Sequence, residues 1–149
     1  MAKYIAVGSQ TLTTSRSTAL SIAANATTAH RCRFYEFWWA NLTPADAVTR
    51  HLVELITAVG TSTAVTPRPV DTADRAAQAQ CGQNHTVEPT YTASSSRLDI
   101  PLNHRATMRW VAYPGSELVT PATASSGLAL SALHATATSD WVAGAMWEE

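Results

Sequence analysis

Charge is the scarcest ingredient of this chain. Of 149 residues only 14% are charged, where about 25% is usual, and the formal net charge is −1. With no basic excess to neutralise phosphates, a nucleic-acid partner is disfavoured. Glycine is scarce too, at six residues, and no glycine-rich loop of the kind that cradles phosphate occurs. The two cysteines, Cys32 and Cys81, are too few and too far apart for a disulfide framework or a zinc knuckle; whether they pair stays open. No apolar run approaches the roughly 18 residues of a membrane span. The opening stretch Met1–Val7 is too short for a secretory signal. What is abundant is Ala, Thr and Ser, about two-fifths of the chain against far lower ordinary usage. Apolar residues make up 46%, enough for one hydrophobic core. We therefore expect a single domain over residues 1–149, with residues 1–15 as an extended N-terminal arm.

β-branched and aromatic residues recur in short runs bounded by Gly, Pro, Asn, Asp or Ser, the rhythm of an all-β protein. Strands are expected at Tyr4–Thr13, Thr18–Ala24, His30–Asn41, Thr86–Thr92, Arg97–Asn103, Met108–Tyr113, Gly127–Thr138 and Trp141–Trp147. The richest run alternates Arg33, Tyr35, Phe37 and Trp39 with Cys32, Phe34, Glu36 and Trp38. Both faces carry aromatics, so this strand is expected to be covered on both sides. Arg97–Asn103 alternates most cleanly, with Leu98, Ile100 and Leu102 inward. Asp46–Ala58 fits helical spacing (Val48, Leu52, Leu55, Ile56, Val59) and strand spacing (Val53, Leu55, Thr57, Val59) about equally. Gly60–Val70, with Pro67 and Pro69, reads as an extended loop. Asp71 looks like an N-cap and Gly82 like a C-terminal stop, which predicts one short helix near Thr72–Cys81. The fold class is thus an antiparallel two-sheet β-sandwich, jelly-roll-like, with one short helix.

The search for chemistry finds little. His30, His51, His85, His104 and His134 show no metal-ligand spacing. No Gly-x-Ser-x-Gly elbow marks a nucleophilic serine, and the few carboxylates fall mostly in loops or at termini. No catalytic residue, cofactor or metal is expected. The aromatics admit two readings. They pack the core, or they meet another protein, because Trp and Tyr are enriched at interfaces. The candidate subunit or capsid-contact residues are Tyr4, Ile5, Tyr35, Trp38, Trp39, Trp141 and Trp147.

Several phrases carry a resemblance. They are Gly-Thr-Ser-Thr-Ala-Val-Thr-Pro at 60–67, Glu-Pro-Thr-Tyr-Thr at 88–92, Leu-Asn-His-Arg-Ala-Thr at 102–107, Arg-Trp-Val-Ala at 109–112, Pro-Gly-Ser-Glu-Leu at 114–118, Pro-Ala-Thr at 121–123 with Gly127-Leu128, and the terminal Trp-Glu-Glu. Over about two-thirds of its length, from Gly60 onward, the chain resembles small virion structural proteins of tailed bacteriophages, similar to capsid decoration or cement proteins. The resemblance implies a strand over Asp46–Ala58. It also implies a non-enzymatic homotrimer on the outer capsid surface, made in the bacterial host cytoplasm, whose partner is the major capsid protein and not a nucleic acid or a membrane. Met1–Gln10 or the Gly60–Val70 segment would reach the capsid. The rival expectations are a tail-associated or head-fibre carbohydrate-binding β-sandwich, and a small hydrolase with a nucleophile and base paired beside a concave pocket.

Overall fold

The computed structural model describes residues 1–133 and 137–149. Among the described residues there are twelve strands and no helix. They are β1 (Lys3–Thr11), β2 (Ser17–Ala23), β3 (Arg33–Asn41), β4 (Val48–Ala58), β5 (Thr61–Val65), β6 (Arg68–Pro69), β7 (Gln80–Val87), β8 (Thr90–Asn103), β9 (Thr107–Val111), β10 (Leu118–Val119), β11 (Gly127–Leu133) and β12 (Asp140–Glu148). All pairings are antiparallel. The first sheet runs β10-β3-β12-β1-β6, with β9 also paired to β3. The second runs β5-β7-β2-β11-β4-β8.

One apolar cluster joins the inner faces of the two sheets. The first sheet contributes Tyr4, Phe34, Phe37, Trp39, Trp141 and Trp147, and the second Leu20, Ile22, Val53, Leu128 and Leu130. The rings meet at near-van der Waals range: Phe34 and Phe37 stack at 5.7 Å between centroids, and Phe37 and Trp110 at 5.4 Å. Such contacts add to the free energy of burying large aromatic surface. Leu98, Ile100 and Leu102 pack inward from β8, as their alternation predicts.

Several expectations are corrected. The residues 1–15 do not form a free arm. Lys3–Thr11 lies between β12 and β6, with Tyr4 and Ala6 buried, because its alternating residues supply one face of the core. The helix near Thr72–Cys81 is absent. Gln80 and Cys81 pair with Ala23 and Ile22 in the second sheet, and the Glu149 carboxylate accepts the backbone N–H groups of Gln78 and Ala79. An alanine-rich segment this short cannot hold a helix by propensity alone, so tertiary pairing wins. Gly60–Val70 is not a loop; it contains β5 and β6, each paired at a sheet edge.

Asp46–Ala58 resolves in favour of β4. Thr49, His51 and Val53 point into the core, while Leu52, Glu54 and Ile56 are buried on the other face. A strand covered on both faces reads as a continuous apolar run, which is why its period was ambiguous. Thr86–Thr92 is divided between β7 and β8, with the buried Pro89 in the connection. In the aromatic strand, strict alternation fails. Glu36 pairs with Met146 but Phe34 with Trp147, so a bulge at Tyr35 resets the pleat and turns Phe34 to the same side as Phe37 and Trp39. Both cysteines are free and buried. Burial pushes the Cys32 thiol up to about 12, which leaves it inert as a nucleophile at neutral pH. His134 and residues 134–136 of the strand expected over Gly127–Thr138 lie outside the described residues; β11 is Gly127–Leu133, and Ala137 and Thr138 are not in a strand.

Candidate functional site

The structure divides the seven nominated interface residues. Tyr4, Trp39, Trp141 and Trp147 are core residues, each 2% exposed or less. They cannot touch a partner in this fold. Ile5, Tyr35 and Trp38 are half-buried and point outward from the first sheet.

The register assembles that outer face row by row. One row is Arg68, Ile5, Met146, Glu36 and Val111. The next is Val7, Gly144, Trp38 and Arg109, and a third is Ser9, Val142, Ala40 and Thr107. Ile5, Val7, Trp38, Val142, Met146 and Val111 thus share one surface, with Val7 46% and Val111 52% exposed. The charges on it are largely neutralised: Arg109 binds the Glu36 carboxylate through two hydrogen bonds of 2.6 and 2.9 Å. Sequence reasoning named Trp38 and Ile5, included Val7 only within the Met1–Gln10 segment, and did not name Val111, Val142 or Met146. The signal was present: each falls opposite a core residue in an alternating strand.

Gly144 gives the Trp38 indole room to lie down on this face. A Cβ at that position would sit 2.2 Å from Cζ2 of Trp38, so the indole rests directly on the glycine backbone. Gly144→Ala is expected to lift Trp38 from the sheet and red-shift its fluorescence. Because the ring has solvent to move into, the stability cost should stay near 1 kcal/mol. An unchanged emission spectrum would show that the ring does not lie where the register puts it.

The outer face of the second sheet combines a small apolar cluster, Ala23, Ile56 and Ala129 with Val59 and Tyr91 packed on it, with a buried polar network. Arg16 reaches over it, donates to Glu54 and to Ser131 Oγ at 2.9 Å, and stacks its guanidinium 4.0 Å from the Tyr91 ring centroid. Ser131 and Ser96 donate to the Glu54 carboxylate at 3.1 and 3.3 Å. The Thr18 hydroxyl lies within hydrogen-bond range of both Glu88 and Tyr91. Burial pushes the Tyr91 hydroxyl up to about 12 and raises Glu88. His85 bridges Ser21 and the Thr18 carbonyl, each at 3.0 Å. This network was not legible in the sequence, because its members lie on five separate segments.

Comparison with protein-family models, with curated proteins and with solved structures returns no match. The functional reading therefore rests on these surfaces and on the sequence phrases. Among the described residues no group of three His, Cys, Asp or Glu is placed to hold a metal ion, and no helix is long and apolar enough to cross a membrane. The outer face of the first sheet sets apolar side chains among charges that are mostly paired, Arg109 with Glu36 and Arg33 with Glu148 at 3.5 Å, and such a surface can be buried against another protein with little unpaired charge stranded.

Proposed function

We propose that this chain is a bacteriophage capsid decoration, or cement, protein. In this reading it binds the outer surface of the assembled head as a homotrimer, contacts the major capsid protein and stabilises the joints between its subunits. The role is structural and needs no catalysis. A ligand that binds only the assembled lattice stabilises it by mass action, and a trimer multiplies weak single contacts.

The observation that carries the reading is the apolar outer face of the first sheet around Trp38, taken with the phage-like phrases from Gly60 onward. The strand order supports a jelly-roll architecture beneath it. Leave aside the short β10 and the β5–β7 excursion between β4 and β8. Of the eight strands that remain, first pairs with last (β1 with β12), second with seventh (β2 with β11), third with sixth (β3 with β9) and fourth with fifth (β4 with β8). That is a long antiparallel hairpin rolled into two sheets. The carbohydrate-binding alternative calls for aromatics clustered at a loop-built site. Tyr113 is the one strongly exposed aromatic among the described residues, at 83%, while Trp38 lies flat on a sheet.

Purified protein mixed with expanded empty capsids is expected to co-sediment and to saturate at one trimer per threefold position. Val7→Lys together with Trp38→Glu should weaken binding at least about tenfold, a change of roughly 1.4 kcal/mol. Absence of co-sedimentation with expanded capsids rejects the proposal. A monomer by light scattering, both free and on the capsid, rejects the trimer.

A further inference from the structure

The second sheet carries a feature that the capsid reading does not use. Ser21 lies on the central strand β2, directly across from Gly82 of β7. Its hydroxyl is 3.0 Å from Nε2 of His85. The other ring nitrogen, Nδ1, is 3.0 Å from the Thr18 carbonyl oxygen. A carbonyl only accepts, so Nδ1 carries the proton, and Nε2 is left as the acceptor for the Ser21 O–H. A serine donating to an imidazole whose far nitrogen is anchored is the arrangement of an activated nucleophile.

Ser21 also lines a half-open cavity of about 160 Å³, together with Val59, Ser62, Ala64, Gln80 and Gly82. Gly82 is what leaves room there. A Cβ on it would lie 2.1 Å from the Ser62 hydroxyl oxygen and 3.1 Å from that of Ser21. Two hydroxyls therefore converge over one glycine. A cavity of this size holds about five water volumes, or one short acyl group.

We propose that Ser21 is a reactive nucleophile that takes the acyl group of small esters, with His85 as its general base and the Ser62 hydroxyl as a donor to the developing oxyanion. Ser21 Oγ attacks the ester carbonyl carbon, a new C–O bond forms, and the Oγ proton passes to His85 Nε2. The tetrahedral adduct collapses with cleavage of the original ester C–O bond, and the alcohol leaves with the proton from Nε2. Water then attacks acyl-Ser21, gives its proton to Nε2, and the carboxylic acid departs as the serine hydroxyl is restored. The site lies on the opposite sheet from the proposed capsid face, so either proposal can fail alone.

The test uses p-nitrophenyl acetate with the whole protein. Intact and peptide mass spectrometry are expected to show one acetyl group, located on Ser21, and Ser21→Ala should abolish it. His85→Gln should slow acylation by about 10²–10⁴-fold. The acylation rate should rise with pH through an apparent pKa below the ordinary histidine value, because burial lowers His85. Circular dichroism shows whether His85→Gln remains folded; if it does not, the wild-type pH profile decides. Failure of the wild-type protein to acquire an acetyl group at Ser21, or a rate with no such titration, overturns the proposal.

Discussion

Acidifying the protein from neutrality through about pH 4 is expected to remove roughly 3 kcal/mol of stability at a single residue, His51. The imidazole is 1% exposed and sandwiched between two indoles, with centroids 5.9 Å from Trp39 and 5.0 Å from Trp141. Among the described residues neither ring nitrogen has a hydrogen-bond partner. Burial first, and the nearby His104 second, lower its pKa from 6.5 to about 4. The unfolded chain takes up the proton near pH 6.5, while the folded chain resists until about pH 4. Stability from this group is therefore complete above pH 6.5 and is lost as the pH falls through the folded value. The gap between the two values corresponds to ~3 kcal/mol. His104, whose Nε2 pairs with Thr49 at 2.6 Å, and His85 are also lowered by burial and act in the same direction. Urea midpoints measured across this range should fall steeply in the wild type and more gently in His51→Phe, which keeps the stack without the proton. Parallel curves for the two proteins would mean that His51 is not the group responsible.

Arg16→Met is expected to cost about 3–5 kcal/mol, because it leaves Glu54 buried and unpaired. The Glu54 side chain is 8% exposed and Arg16 is its charged partner. The two serine hydroxyls on Glu54 are neutral donors and offset only part of a buried charge. Glu54→Leu should cost less than Arg16→Met, since Arg16 is 25% exposed and keeps access to water. The double variant should recover most of the loss, because well-packed apolar residues replace a buried ion pair at little cost. Chemical denaturation of the four proteins forms a double-mutant cycle. Simple additivity of the two single losses would show that the pair is not coupled.

Much of this protein was legible in local pattern. Alternation placed β1, β2, β12 and the second half of β8, and assigned Leu98, Ile100 and Leu102 their inward direction. It failed where the period is broken or hidden. The bulge at Tyr35 brings Phe34 inside, and no residue in that stretch announces an extra one in the strand. β4 hides its period because both of its faces are buried. Thr72–Cys81 carries good helix formers and plausible caps, yet the edge of β2 and the carboxylate of Glu149 claim its backbone. Glu54 looked like an ordinary acid until Arg16, Ser96 and Ser131 closed around it.

The scarcity of charge and the recurrence of β-branched and aromatic runs by themselves determined an all-β chain with a charge-poor surface, because backbone pairing and apolar burial leave a local imprint at period two. Which aromatics became core and which stayed on the surface was decided only by tertiary structure. Trp38 and Trp39 are neighbours in sequence and equally apolar. One lies on Gly144 facing outward and the other stacks on His51 in the core, because a strand sends adjacent side chains to opposite faces and only the packing of the second sheet selects which face is covered.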